Sequence, residues 1–423
     1  MRVEELVKFN IPEEFIEKFK QEKIFELYPP QADVVRKKLL KDRNLVVSLP
    51  TAGGKTLIAT LAMIYKLADA KSKVVYIVPL VALGYEKFSL YQKFFENSYK
   101  VALSVGDFDS SDAWLADYDI IVATSEKLDS LLRHGADWIR QVGLIIVDEV
   151  HLLNDYSRGP TLEILLTRLR ETVPRAQILA LSATIKNSKE LADWLNATLL
   201  LSDFRPVELH EGVLYDSKIE FYGRAGYELE KLESEEAILK NTLEMKKQCL
   251  YFVSTRRNAE LLAEKLATIN KKFLAQGEAR ELAKLSEKIL NVLELPTHQC
   301  KKLSTLVRCG VAFHHAGLLG QQKRLNEEHF RAGLLKAIVT TPTLALGVNL
   351  PAFRVIIRDA KRYVTGLGST FIPVLEYKQM AGRAGRPEFN SEGEAILIAK
   401  NEDEAFELVE RYINGESEEI QSK

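Results

Sequence analysis

Short, almost continuous apolar runs alternate along this chain with stretches whose apolar residues recur at helical spacing. In the first half the runs are Asn44 to Leu49, Val74 to Val78, Ile120 to Ala123, Leu144 to Val147 and Gln177 to Leu181. In the second half they are Gln248 to Ser254, Val311 to Phe313, Lys336 to Thr340, Arg354 to Ile357 and Glu394 to Ile398. A strand apolar on both sides has no wet face, so these runs predict parallel strands covered by helices above and below. Residues 3 to 20 read as amphipathic helix broken at Pro12, and Ala32 to Leu40 as a helix entered through a proline turn. The proline-containing stretch Ser202 to Leu209 interrupts the alternation and places a domain boundary near residue 201. The expected fold class is therefore α/β, with tandem domains over 1–200 and 201–423, each a mainly parallel sheet with helices on both faces.

Length supports that division, because 423 residues is about twice the size at which one core stops growing. A hydrophobic content of 46% with 28% charged residues is that of a globular chain rather than a disordered one. The formal net charge of −1 requires any nucleic-acid site to be a local groove. Cys249, Cys300 and Cys309 are too few and too widely spaced for a disulfide framework or a CxxC metal clip, which fits a reducing, cytoplasmic location. The N-terminus lacks a signal-peptide layout, and no apolar run reaches the roughly 18 residues of a membrane span, so no membrane association is expected.

The chemistry is concentrated where strands end. Between the run Asn44 to Leu49 and the helical stretch Leu57 to Lys66 lies Pro50-Thr51-Ala52-Gly53-Gly54-Lys55-Thr56. A strand-to-helix turn aims backbone N–H groups and a helix N-terminus at one point, where a phosphate can sit. Gly53 and Gly54 allow close approach, Lys55 supplies charge to the outer phosphates of ATP, and Thr56 can ligand Mg²⁺. Leu49 stands where the usual motif opens with glycine, so the turn alone also reads as one that binds nothing. Gln31, just ahead of the loop's strand, either pairs with adenine through its two-faced amide or finishes a proline turn. Asp148 and Glu149 follow four aliphatic residues and fall on the same rim of the sheet. Asp148 is assigned to the metal and Glu149 to the base that polarises the attacking water. His151 has no ligand partner at metal spacing and reads as a relay to Ser182-Ala183-Thr184. In the second half, Gln379-Met-Ala-Gly-Arg383-Ala-Gly-Arg386 offers arginines three apart with glycines beside them. They read either as a basic helix end or as uncovered guanidinium groups that reach an anion across an interdomain cleft.

These segments, with Phe25 to Gln31, Pro79 to Leu83, Thr124 to Lys127, Phe252 to Arg257, Val311 to Gly317 and Thr341 to Pro351, resemble the ordered motifs of the superfamily 2 helicases. Within that superfamily they are most similar to the Ski-two-like branch, above all its archaeal repair helicases of the Hjm (Holliday-junction migration) group and the helicase half of DNA polymerase theta. The resemblance runs from about residue 22 to 400. It implies two RecA-like domains forming an ATP- and Mg²⁺-dependent motor that moves 3′ to 5′ on single-stranded DNA and opens branched or forked duplexes in replication-coupled repair. It implies catalytic roles for Lys55, Asp148, Glu149, Gln379, Arg383 and Arg386, and adds Gly347 and Asn349 to the ATP site. Pro79, Thr124, Lys127, Ser254, Arg256, His315 and Thr343 would grip the sugar-phosphate backbone.

Arg362 to Tyr377 contains two β-rich runs around Gly366-Leu-Gly368 and predicts a hairpin. In the resembled family a hairpin at this place splits the duplex, so Tyr363, Val364 and Phe371 are expected to flank a wedge, the alternative being a hairpin that only finishes the sheet. Members of the branch continue into a winged-helix domain and a helical ratchet, for which nothing after Ile398 is long enough. The expectation is retained ATP binding with weak strand grip and poor processivity, in a monomer that meets replication or recombination proteins. An RNA helicase or remodeller of the same branch, and an ATP-gated clamp that never separates strands, remain open at this point. A metal-dependent nuclease is disfavoured, because no carboxylate cluster accompanies Asp148 and Glu149.

Overall fold

A computed structural model describes residues 1–423 except 42, 69–71, 107–111, 343, 345–349, 365, 367 and 387–390. The chain divides into one unit of Met1–Pro206 with Glu418–Lys423 and a second of Val207–Ser417.

In the first unit the strands are β1 (Leu45–Ser48), β2 (Lys73–Val78), β3 (Val101–Ser104), β4 (Ile120–Thr124), β5 (Val142–Val147), β6 (Gln177–Ser182) and β7 (Thr198–Leu201). They form one sheet in the order β3-β4-β2-β5-β6-β1-β7, and every pairing is parallel. Every residue of β1, β2, β4 and β6 is buried, as continuous aliphatic runs require of strands covered on both faces. Because all strands point the same way, the residues that follow β1, β2, β4, β5 and β6 meet along a single rim. The segment Glu418–Lys423 is held to this unit by a reciprocal pair between the Asn187 side-chain amide and the Ile420 backbone: Ile420 N–H donates to Asn187 Oδ1 and Asn187 Nδ2 donates to Ile420 O, both at 2.9 Å.

In the second unit the strands are β8 (Glu208–Tyr215), β9 (Lys218–Phe221), β10 (Tyr227–Glu228), β11 (Cys249–Phe252), β12 (Val311–His314), β13 (Ala337–Thr340), β14 (Arg354–Ile357), β15 (Lys361–Val364), β16 (Gly368–Phe371) and β17 (Glu392–Ile398). The main sheet runs β10-β9-β8-β17-β14-β11-β13-β12, while β15 and β16 pair separately. Among the described residues only the β8–β9 and β9–β10 pairings of the main sheet are antiparallel. Arg354, wholly buried, stands opposite Glu394 in the β14–β17 register and donates to its carboxylate at 2.7 Å. Burying that charge is tolerable only because its remaining N–H groups reach Thr242 and Asn241. The proline-containing stretch Ser202 to Leu209, expected as connector, runs at its end into β8 (Glu208–Tyr215), an interior strand of this sheet. Its half-polar sequence reflects a strand that is buried only toward its end.

Among the described residues no helix is long and apolar enough to cross a membrane. Cys249, Cys300 and Cys309 are all free thiols.

Candidate nucleotide site

The turn after β1 folds as its glycines dictate. Gly54 has φ +84°, and a Cβ there would run into the Gln31 side-chain amide. Ala52 also adopts a left-handed backbone, φ +67°, a strained choice for a residue with a Cβ and one typical of functional loops. The helix Lys55–Leu67 begins immediately after Gly54, so the positive end of its dipole points into the turn. Lys55 is partly exposed, and its Nζ donates to the loop's own carbonyls, Leu49 O at 2.9 Å and Pro50 O at 3.3 Å. The loop Pro50 to Thr56 can thus hold a polyphosphate, with Lys55 exchanging the loop carbonyls for phosphate oxygens.

Gln31 is brought to this loop but not in the way expected. It is only 2% exposed. Its Oε1 accepts from Tyr28 N–H at 2.8 Å and its Nε2 donates to Gly54 O at 3.0 Å. With both faces of the amide engaged by backbone, Gln31 braces the phosphate loop instead of presenting a free face to adenine.

Asp148 lies at the end of β5 and is 7% exposed. Tyr76 OH from β2 donates to its Oδ2 at 2.8 Å, and its Oδ1 accepts from Glu149 N–H at 3.1 Å. Glu149 sits at φ +50°, a second left-handed non-glycine residue on the rim. Its side chain is 23% exposed, so a carboxylate placed as a base is reachable by water. His151 is 1% exposed, and its Nδ1 accepts from Ala183 N–H at 3.2 Å. A backbone N–H can only donate, so that Nδ1 carries its lone pair and Glu149 Oε2, 3.5 Å away, is not hydrogen-bonded to it. Burial first, and then the Lys55 charge, lowers the His151 pKa from 6.5 to about 3. His151 is therefore a neutral link between β5's end and the Ser182-Ala183-Thr184 loop, where the buried hydroxyls of Ser182 and Thr184 have no hydrogen-bond partner among the described residues.

The hydroxyl of Thr56 and the carboxylate of Asp148 are hard oxygen donors, and between them stands the ammonium of Lys87, donating to Thr56 Oγ1 at 3.1 Å and 3.7 Å from Asp148 Oδ2. The fit to a divalent metal such as Mg²⁺ lies in the donor chemistry, a hydroxyl and a carboxylate oxygen. Among the described residues no group of three or more His, Cys, Asp or Glu could hold a metal, so phosphate and water would complete the shell. Lys87 was not among the residues singled out from sequence. Its signal was available, since Leu83, Lys87, Tyr91 and Phe94 form the buried face of the helix Val81–Phe94 and a lysine interrupts that apolar spacing.

In the second unit, Gln379 is buried near the end of the helix Val374–Ala381, and Arg383 is half-buried just past it. Arg386 departs from the expected uncovered guanidinium. It is buried; its Nε donates to Pro351 O at 2.8 Å, its Nη2 to Phe330 O at 3.1 Å, and it lies over the Phe330 ring. The flanking glycines do not leave it open, because the chain around Gly385 packs onto Val207 and Gly393. Thr343, Gly347 and Asn349 lie outside the described residues.

The expected backbone-gripping residues separate into two groups. Pro79 and Thr124 are buried, and Thr124 caps the helix Ser125–Arg133 by accepting from Lys127 N–H. Lys127 is 2% exposed and its Nζ pairs with Asp112 at 3.0 Å, so it braces a loop rather than facing a phosphate. His315 is also 2% exposed. It stacks on Phe313 and sits 3.3 Å from Glu260. Ser254 Oγ and N–H both donate to Asp359, at 2.8 and 2.7 Å, which puts a carboxylate where a phosphate was expected. Arg256, by contrast, is exposed at the start of the helix Arg256–Asn270.

The hairpin β15–β16 forms in the predicted place. Tyr363 is 78% exposed on it, and Val364 is half-exposed. Phe371 does not flank a free edge: it packs edge-on to Tyr412, with Lys361 and Arg411 over its ring, and roots the hairpin in the unit's core.

The DEAD/DEAH box helicase family matches residues 28–192, and the helicase conserved C-terminal domain matches residues 284–388. The whole chain is 48% identical to the ATP-dependent DNA helicase Hel308 of Methanocella arvoryzae and 47% identical to that of Pyrococcus horikoshii, covering 57% of each. Over 90% of the chain it is 43% identical to the Hel308 of Methanococcus vannielii, covering 52% of it. The chain thus spans little more than half the length of these curated relatives. One family match falls within each unit, and identity over the whole of this chain joins them: the chain belongs to the superfamily 2 helicases, in their Ski-two-like branch.

Proposed function

We propose that this chain is the ATP-driven motor core of a DNA helicase, moving 3′ to 5′ on single-stranded DNA and acting on forked or branched duplexes. The observation that carries the reading is the rim of the first sheet. There a strained phosphate loop presents Lys55 and Thr56 on one strand end, and Asp148 and Glu149 stand on another. The names of the relatives, ATP-dependent DNA helicases, support the choice of DNA over RNA.

In this reading Pro50 to Thr56 cradle the phosphates of ATP through backbone N–H groups, and Lys55 leaves the Leu49 and Pro50 carbonyls to neutralise the outer phosphates. Thr56 and Asp148 hold Mg²⁺, which when bound neutralises charge that develops on the phosphate oxygens. Glu149 orients the attacking water, and neutral His151 carries the change at the rim to Ala183 through its hydrogen bond. Arg383 and Arg386 are assigned to hydrolysis rather than to binding, Arg386 acting from a fixed, buried position. Arg256 is the phosphate-gripping residue best supported by exposure, and Tyr363 the side chain best placed to stack on a terminal base pair.

The test is strand separation with 3′-tailed and 5′-tailed DNA duplexes and their RNA counterparts, each with ATP. The reading expects opening of the 3′-tailed DNA only. Equal action on RNA would favour an RNA remodeller, and ATP-dependent binding without opening would favour a clamp. Either result would contradict the proposal.

A further inference from the structure

The helix Val81–Phe94 turns Lys87 inward, leaving it 6% exposed. A long cationic side chain normally lies along a surface with its head in water, and an unpaired buried ammonium is costly. Lys87 is not unpaired. Its Nζ donates to Thr56 Oγ1 at 3.1 Å and faces Asp148 Oδ2 at 3.7 Å, the oxygen that also accepts from Tyr76 OH on the neighbouring strand β2.

Thr56 and Asp148 are the residues assigned above to Mg²⁺. An ammonium and a divalent ion drawing on the same pair of oxygens, in a site this dry, repel each other strongly. Phosphate oxygens change that balance, because they bring negative charge and further ligands for the metal. We propose that Lys87 is the resident counter-cation of this site, a positioning residue that competes with the divalent metal for Thr56 and Asp148 and admits it only together with nucleotide phosphates. The proposal rests on the nucleotide-site reading above and adds a reason for metal and nucleotide to bind as a unit.

Two features of the surroundings fit this role. Lys87 belongs to the same buried helix face as Tyr91, so it cannot be replaced at the site by a neighbouring surface lysine. Tyr76 OH donates to Asp148 Oδ2, the same oxygen that Lys87 faces, and so fixes the carboxylate from the β2 side while the cation beside it changes.

The experiment titrates Mn²⁺ into the full chain and reads free Mn²⁺ by electron paramagnetic resonance, with and without ADP, for the wild type, K87M and K87R. Without ADP the wild type and K87R should bind Mn²⁺ weakly, whereas K87M should bind it about tenfold or more tightly, the effect of removing one close like charge. Equal nucleotide-free binding by the wild type and K87M, while ADP promotes Mn²⁺ binding by the wild type, would overturn the proposal. Failure of ADP to promote binding by the wild type would instead remove the nucleotide-site reading beneath it. If K87M does not fold, acetic anhydride labelling of the wild type followed by mass spectrometry decides. Lys87 should gain reactivity when Mg²⁺ and ADP are added together, and unchanged labelling would overturn the proposal.

Discussion

The Tyr76 hydroxyl donates to Asp148 Oδ2 at 2.8 Å across the β2–β5 pairing, with both groups buried. Burial first, and then the Asp148 charge, keeps the Tyr76 pKa well above 10.0, so the phenol stays a donor at any working pH. Y76F should cost roughly 2 kcal/mol of stability, the value of a hydrogen bond to a charged group, read as a lower urea midpoint. It should also slow ATP hydrolysis by about tenfold, as loss of an outer partner of a metal-holding carboxylate does. An unchanged midpoint would mean that the bond contributes nothing.

The two arginines of the second unit should part company on substitution. R386A removes one donor from the partly buried Pro351 O and one from the buried Phe330 O, and should destabilise this unit by about 1–3 kcal/mol on thermal or urea unfolding. R383A should leave unfolding closer to the wild type and reduce ATP turnover by about 10³ without weakening nucleotide binding. If R386A unfolds no earlier than the wild type, the structural part of its role is wrong.

His151 should stay neutral in mild acid. Its folded pKa of about 3 lies below the 6.5 of the free side chain, so between those values the unfolded chain binds the proton and the folded chain does not. The His151 contribution to stability is therefore complete above pH 6.5 and is lost as pH falls toward 3. The imidazole NMR signal of His151, assigned by loss in H151Q, should not titrate between about pH 8 and 5. A midpoint inside that window would contradict the hydrogen bond from Ala183.

The hairpin is rooted through Phe371, so its tip can be shortened without disturbing the unit's core. Replacing residues 365 to 370 by a two-residue turn should leave ATP hydrolysis intact. It should slow duplex opening about tenfold, in keeping with the roughly 1–3 kcal/mol of one lost base stack. Undiminished opening would reduce the hairpin to an ornament of the sheet.

What the sequence revealed and what it concealed follow from the same physics. Strands β1, β2, β4, β5 and β6 were legible because strands covered on both faces must be aliphatic throughout, and the polar tetrads after them marked the rim. The strand β7 escaped because an edge strand with exposed Thr198 and Leu201 need not be uniformly apolar. Candidate site residues were found by type, but type does not reveal partner. Nothing adjacent to Lys127 announces Asp112, nor anything beside Ser254 the Asp359 carboxylate that lies far along the chain. Arg386 was read as uncovered because glycines flank it, whereas the cover comes from Pro351 and Phe330. Lys87 shows the reverse case, a charged residue within an apolar stripe, which spacing alone could have exposed.

The most direct test of the motor reading is ATP hydrolysis by the full chain with and without single-stranded DNA, compared with K55A. The account predicts slow hydrolysis alone, a rise of about tenfold or more when DNA is added, and none in K55A under either condition. Hydrolysis indifferent to DNA, or persisting in K55A, would contradict it.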